Sequence, residues 1–300
     1  FWFSSIKIIA ILGIIATGII MMLTGFNAPG AHGGPVSFAN ITHNFKFFPN
    51  GGMSFMQAFP MVFFAFVGIE FVGLMSAETK NPREVMPKVI NTVLFRILIF
   101  YVGALAIIMS IYDWRYLPSN QSPFVFIFKL IGIHWAAALL NFVVLTAAMS
   151  ALNTLIYSAG RDVYALALEN TGKWQSYFKV LSMKAIPSRA VLFSAILIML
   201  TPIINALPIF ESAFNFFASA TAAITLVIYS LIMLAHRKYR ASADYIEDGF
   251  KMPFYKIASP LTLAFFLFIF GTLFLDKTDM IAAFGGIAWT IGYGWYSHKK

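Results

Sequence analysis

Glu70 is the residue whose surroundings most demand a chemical task. It sits in Phe64-Ala65-Phe66-Val67-Gly68-Ile69-Glu70-Phe71, inside a run with no other charge back to Lys46. An ionisable side chain at the centre of a membrane span costs about 2.5 to 3.5 kcal/mol, so it needs a partner or a function. Counting eight residues back from Glu78 at the surface, at about 1.5 Å per residue, puts Glu70 roughly 12 Å deep. Gly68 then lies roughly 15 Å deep, near the midplane of a hydrocarbon core about 30 Å thick. A glycine beside an acid at that depth suits a discontinuous helix, because glycine tolerates unwinding and the freed carbonyls can coordinate a cation or an ammonium group. The alternative is structural: Gly68 permits close helix packing and Glu70 hydrogen-bonds a neighbouring helix.

Lys7 is the second charge in an apolar setting, following Phe1-Trp2-Phe3 and preceding an uncharged stretch that reaches Phe45. A helix already running at Phe1 places Lys7 at least about 9 Å in. Such a lysine either snorkels to the interface or, if buried, loses solvation and can exchange a proton. Two polar faces follow at helical spacing: Thr146, Ser150, Asn153 and Thr154, then Ser212, Asn215, Ser219 and Ala222. They line a pathway or cement helix contacts.

Composition restricts which chemistry these residues can serve. Of 300 residues 60% are hydrophobic and 11% charged, far from the quarter charged of soluble domains. Charge-free runs cover Ile8 to Phe45, Phe47 to Ile69, Ile97 to Tyr112, Ala190 to Phe210 and Ser212 to Ala235. They are continuous rather than alternating, which argues for helices and against an outer-membrane barrel. The expectation is an all-α polytopic membrane protein, one transmembrane domain over 1–300 with no soluble domain. With Cys 0, disulfide frameworks, thiol catalysis and Cys-ligated metals are excluded. His32, His43, His134, His236 and His298 are dispersed without metal-ligand spacing, so no metal and no cofactor is expected. No Gly-x-Ser-x-Gly or His-Glu-x-x-His motif supports an enzyme, and no Walker-type loop supports ATP. The net charge of +9 points to loops facing anionic lipid in the bilayer rather than to nucleic acid.

Eight spans are expected: Trp2 to Leu23, Met53 to Ala77, Ile90 to Tyr112, Ala136 to Ser158, Ala190 to Leu207, Ile209 to Leu234, Phe254 to Leu275 and Met280 to Tyr296. Alternate connections differ in charge. One set holds fifteen basic residues: Lys80, Arg83 and Lys88, five between Arg161 and Arg189, five between Arg237 and Lys256, and Lys299 and Lys300. The other holds four, Lys46, Arg115, Lys129 and Lys277, which puts both ends of the chain in the cytoplasm. The outer loop Thr24 to Gly52, with Asn27, Pro29, Gly30, Gly33, Gly34 and Pro35, is expected to be irregular, and the inner loop Arg161 to Arg189 to lie along the membrane surface in places. The chain opens at Phe1 inside an apolar run, which suggests a piece of a longer protein.

The stretch Phe64 to Gly73, then Ala77-Glu78-Thr79-Lys80-Asn81-Pro82 and Pro87-Lys88-Val89-Ile90-Asn91, resembles the sixth helix and following loop of bacterial amino acid permeases. These belong to the amino acid–polyamine–organocation superfamily. The resemblance continues through Arg96 to Leu105, Ser122-Pro123-Phe124-Val125, Asn141 to Ala148 and Ser150-Ala151-Leu152-Asn153, and is most like the D-serine/D-alanine/glycine transporter branch. It implies a LeuT-like inverted-repeat fold of two five-helix repeats plus two trailing helices, with the eight spans as helices five to twelve and the first four absent. It also implies secondary, proton-coupled symport of small amino acids such as D-alanine, D-serine or glycine across the cytoplasmic membrane. Other specificities within the family, or a membrane fragment or partner subunit that does not transport, remain the alternatives. Under the resemblance Phe66, Val67, Gly68 and Ile69 form the unwound segment that receives the substrate ammonium, Glu70 adjoins it, Ser150 and Asn153 wall the pathway, and Lys7 couples transport to protons.

Overall fold

In hydrocarbon no water is available to the backbone, so an apolar chain satisfies its amides by forming helices. A computed structural model describes residues 2–27, 35–42, 45–74, 79–117, 122–130, 132–169, 172–183, 185–206, 213–246 and 251–298. Glu78, Lys184, Ser212, Lys299, Lys300, His32, His43 and the Pro29 to Gly34 part of the outer loop lie outside the described residues.

In chain order the helices are α1 (Trp2–Leu23), α2 (Ala39–Thr42), α3 (Gly51–Gln57), α4 (Phe59–Phe64), α5 (Phe71–Leu74), α6 (Pro82–Ile97), α7 (Ala104–Ile111), α8 (Pro123–Leu130) and α9 (His134–Glu169). There follow α10 (Lys173–Phe178), α11 (Ser188–Met199), α12 (Thr201–Asn205), α13 (Ala213–Arg240), α14 (Tyr255–Thr272) and α15 (Lys277–His298). Among the described residues no strand forms; a single bridge pairs Asn27 with Pro35. Among the described residues five helices are long and apolar enough to cross a membrane: Ser5–Leu23, Pro82–Ile111, His134–Glu169, Phe214–Arg240 and Tyr255–Leu275. The architecture is therefore all-α and multi-pass.

Several expected boundaries move. The Met53 to Ala77 span is three short helices, α3, α4 and α5, with turns over 65–70. Pro60 lies in the first turn of α4, where its missing N–H costs least. The span expected from Ile90 begins at Pro82 and carries a π-helical segment, Leu98–Gly103, between α6 and α7. The span expected to end at Ser158 continues to Glu169, so helix replaces much of the inner loop, and only α10 remains as a separate short helix before α11. The Ala190 to Leu207 span divides at Leu200, because Pro202 cannot donate the amide that would carry α11 onward.

The chain forms two compact units. The first comprises residues 1–45 and 94–203. There α1 packs on α7 and α9, burying Met21, Val36, Ile107, Ile108, Ile111 and Ile127 in one cluster and Ile14, Val125, Ala137 and Leu140 in another. Gly18 is buried where any Cβ would collide with the Ile107 side chain. Asn40 Nδ2 donates to the carbonyl of buried Ser110 at 2.8 Å and ties α2 to α7. On the far side α9 packs on α11, and Gly160 makes this contact possible: a Cβ there would stand 2.5 Å from Val191 Cγ2 and 2.7 Å from its Cα.

The second unit comprises residues 46–93 and 204–300. Its centre is α13, which packs on α4, α14 and α15 and buries Phe63, Ala222, Ala223, Leu226, Ile269, Leu273 and Ala283. Alanines at 222, 223 and 283, with Gly286 against Ala223, let the backbones approach closely, as membrane helix contacts require. Phenylalanine rings fill the α4–α14 side edge to face, as in Phe59 on Phe268 at 5.1 Å. Ser219 Oγ donates to Asp279 Oδ1 at 2.5 Å, joining α13 to α15.

The glycine geometry predicts opposite outcomes for one substitution at two sites. Gly160→Ala places a methyl against the Val191 backbone, and overpacking of this kind costs about 1 to 3 kcal/mol. Gly13→Ala in α1, where nothing lies within 4 Å, should be neutral or stabilising. Thermal unfolding of the two variants in detergent should show a lowered midpoint for the first alone.

Candidate functional site

The interruption after α4 is built from backbone bonds that shorten and then stop. Ala65 N–H still donates to Met61 O at 3.1 Å, a full helical turn. Phe66 and Val67 donate only three residues back, to Phe63 O at 3.0 Å and Phe64 O at 3.1 Å, tightening the chain. At Gly68 the backbone turns to φ +106°, a conformation L side chains rarely adopt. Nothing crowds the missing side chain, the nearest atom being a Phe71 ring carbon at 3.7 Å, so conformation rather than space requires glycine. Beyond it the turns resume, with Phe71, Val72 and Gly73 donating to the carbonyls of Gly68, Ile69 and Glu70.

Glu70 repairs this break from its own side chain. Its Oε2 accepts the Gly68 N–H at 2.8 Å, taking the place of a helical carbonyl, and also accepts the hydroxyl of Tyr229 from α13. The Tyr229 ring is held edge-on to Phe63 at 5.8 Å and against Phe266 at 6.0 Å. Two acceptor groups remain available. Among the described residues no donor reaches Glu70 Oε1 or the Val67 carbonyl. An unfilled carboxylate oxygen and an unfilled carbonyl within one short segment are what an ammonium group or a proton seeks. Beside the segment, Ile69, Val72, Gly73, Met86, Ile90 and Val93 line an apolar cavity of about 390 Å³.

Phe66, Val67, Gly68, Ile69 and Glu70 lie in one interrupted segment of the second unit, and Glu70 also hydrogen-bonds a neighbouring helix through Tyr229. Phe66 and Ile69 are exposed, and the other three are half-buried. Lys7, Ser150 and Asn153 belong to the first unit. Lys7 is half-buried on α1 and has no hydrogen-bond or ion-pair partner among the described residues. On α9 Ser150 is half-buried and Asn153 exposed, while Thr146 and Thr154 return their hydroxyls to their own helix, at Val143 O and Ser150 O. On α13 Ser219 and Ala222 are buried packing positions, and Asn215 is exposed. The residue that sequence reasoning missed is Tyr229. Its signal was faint: it shares a helical face with Ala222, Thr225 and Leu226, and its hydroxyl is one of several polar groups along that apolar stripe.

Comparison with known proteins identifies the family of the chain as a whole. Residues 1–297 match the model of the amino acid permease family. The chain is 45% identical over 299 residues to the DL-alanine permease SerP2 of Lactococcus lactis subsp. cremoris (strain MG1363), covering 99% of this chain and 64% of that protein. It is 43% identical over 305 residues to the serine permease SerP1 of the same strain, covering 100% and 66%. With the D-serine/D-alanine/glycine transporter of Escherichia coli (strain K12) it shares 35% over 302 residues, 98% of this chain and 63% of that one. The chain spans about two thirds of the length of these relatives. Matched along nearly all of its own length, this chain belongs to the amino acid permease family.

Proposed function

We propose that the protein carries small amino acids such as alanine, serine or glycine, in either stereochemistry, across the cytoplasmic membrane by proton-coupled symport. The observation that carries this reading is the interrupted helix at 65–70, where Glu70 Oε1 and the Val67 carbonyl lack donors among the described residues, beside a glycine at positive φ. A substrate ammonium would be received by the carbonyls of the Phe66 to Ile69 segment and by the Glu70 carboxylate, with the Phe66 ring closing over the site. The apolar lining of the 390 Å³ cavity beside it suits an uncharged side chain better than a charged one. The printed names of the relatives, DL-alanine permease, serine permease and D-serine/D-alanine/glycine transporter, favour small, uncharged side chains.

In this reading the helices take the places of helices five to twelve in a LeuT-like inverted-repeat arrangement. Alternating access then works by rocking one group of helices against another around the interrupted segment. Fifteen basic residues on one set of connections against four on the other favour both ends of the chain in the cytoplasm. Lys7, half-buried and without a partner among the described residues, is the group that takes up and releases the coupled proton. Ser150 and Asn153 form part of the pathway wall. The driving force is the proton gradient, with no ATP, metal or cofactor involved.

Two experiments test this. In cells that lack their own alanine and glycine uptake and express the protein, Glu70→Gln should abolish accumulation of labelled substrate while membrane content stays normal. Tyr229→Phe removes a hydrogen bond to a charged acceptor, worth about 1.5 to 3 kcal/mol, and should lower uptake by about tenfold or more. Near-normal uptake by Glu70→Gln would reduce Glu70 to a helix-packing residue.

The second concerns coupling. Wild-type accumulation should collapse with a protonophore and persist when choline replaces sodium. Lys7→Met should lose substrate-dependent proton entry and concentrative uptake together, leaving exchange of substrate down its gradient. Accumulation that tracked sodium, or full proton-driven uptake by Lys7→Met, would make Lys7 an interfacial residue.

A further inference from the structure

From Phe214 to Ala235 helix α13 contains no charged residue, a length of about 33 Å that matches a hydrocarbon core of about 30 Å. His236-Arg237-Lys238-Tyr239-Arg240 therefore emerges at the level of the lipid headgroups. The start of α14 lies at the same level, because the Tyr255 ring stands edge-on to His236 at 5.4 Å. Arg240 is held there by its face: its Cζ lies 4.1 Å from the centre of the Tyr255 ring and 5.0 Å from that of Tyr245. Tyr245 in turn packs edge-on to Tyr239 at 5.6 Å, and the Tyr239 hydroxyl accepts the Ile246 N–H at 3.2 Å, so the turn carrying these rings is fixed.

The cations of this end find no acceptor among the described residues. Among the described residues no carboxylate pairs with Arg237, Lys238, Arg240, Lys251 or Lys256, and Asp244 in the same turn forms no ion pair. Nor is Arg240 needed to cap the helix. Ala241 N–H donates to Lys238 O at 3.1 Å, while the Ser242 N–H and hydroxyl donate to Tyr239 O at 3.0 and 2.7 Å. What remains is a guanidinium fixed by aromatic faces whose edge donors meet no acceptor among the described residues, and that fork matches two oxygens of a phosphate. Tyrosines at the span ends are the residues that settle at a bilayer interface.

We propose that the end of α13, with the first turn of α14, binds the phosphate of an anionic phospholipid, with the Arg240 guanidinium as the direct donor and Arg237, Lys238, Lys251 and Lys256 as the surrounding positive field. The site depends on the chain lying in a membrane and not on which substrate it carries. A soluble phosphate would share the chemistry, but the headgroup level of the cluster and its tyrosine frame select a lipid. The competing role for these cations is to offset the partial negative charge at the helix C-terminus, which any cation there would do.

Native mass spectrometry of the purified protein in detergent tests this with phosphatidylglycerol and phosphatidylcholine of identical acyl chains. The wild type should retain phosphatidylglycerol preferentially, and Arg240→Gln should weaken that binding about fivefold or more while leaving phosphatidylcholine unchanged. Arg240→Lys keeps the charge at the helix end but not the fork, so it should also bind phosphatidylglycerol more weakly than wild type. Lys256→Gln, at an exposed residue, should weaken binding in the same direction by less. Wild-type phosphatidylglycerol binding by Arg240→Gln or Arg240→Lys would overturn the proposal. Displacement of phosphatidylglycerol by excess inorganic phosphate would assign the site to a free anion and overturn the lipid assignment.

Discussion

The second unit depends on one replaced hydrogen bond. A helix in hydrocarbon keeps every amide paired because an unpaired one costs several kcal/mol there, and the chain after α4 abandons that pairing at Gly68. The Glu70 carboxylate takes over the Gly68 amide at 2.8 Å, and Tyr229 holds the carboxylate in place from α13. The charge and the break are therefore mutually required: without the acid the Gly68 amide is orphaned, and without the break the acid has no backbone donor within its own segment. Glycine takes the positive φ at position 68 without strain, and a side chain two residues away and a tyrosine on a neighbouring helix hold the turn in place.

This interdependence explains what was legible in the residues. An acid two positions from a glycine within an uncharged run signalled a discontinuous helix, and the chain is discontinuous there. Counting seven residues from Tyr229 to His236, at the end of the apolar run of α13, gives about 10 Å along the helix for the partner of Glu70.

What the residues did not disclose follows equally from physics. The span boundaries moved wherever helix continued past the apolar limit: α9 extends beyond Ser158 to Glu169 because nothing in Arg161-Asp162-Val163-Tyr164 breaks a helix, and hydropathy reports lipid contact rather than backbone conformation. The π-helical segment Leu98–Gly103 leaves no mark, since its residues are ordinary apolar ones whose extra backbone step is set by packing. Tyr229 escaped notice because a tyrosine in an apolar stripe reads as core until its partner on another helix is known, and the residues carry no record of which helices touch. The polar face on α9 shows the limit of spacing arguments: Thr146 and Thr154 satisfy themselves on Val143 and Ser150 of their own helix, so a shared face does not by itself imply a shared task.

The same helix that holds Tyr229 is tied at two other levels. Ser219, about 15 Å away along α13, bonds Asp279 of α15, and Arg240, about 16 Å away in the other direction, rests on Tyr255 at the start of α14. Between these ties the helix meets its neighbours through Ala222, Ala223 and Leu226, small or smoothly apolar groups that specify closeness but little register. Register along α13 is therefore set by its few polar contacts. A slide of one turn, about 5.4 Å, would leave the alanine contacts largely replaceable, yet it would part Ser219 from Asp279 and Tyr229 from Glu70 at once. In a medium that rewards apolar contact everywhere, these rare polar pairs fix where α13 stands, and so where the interrupted segment finds its partner.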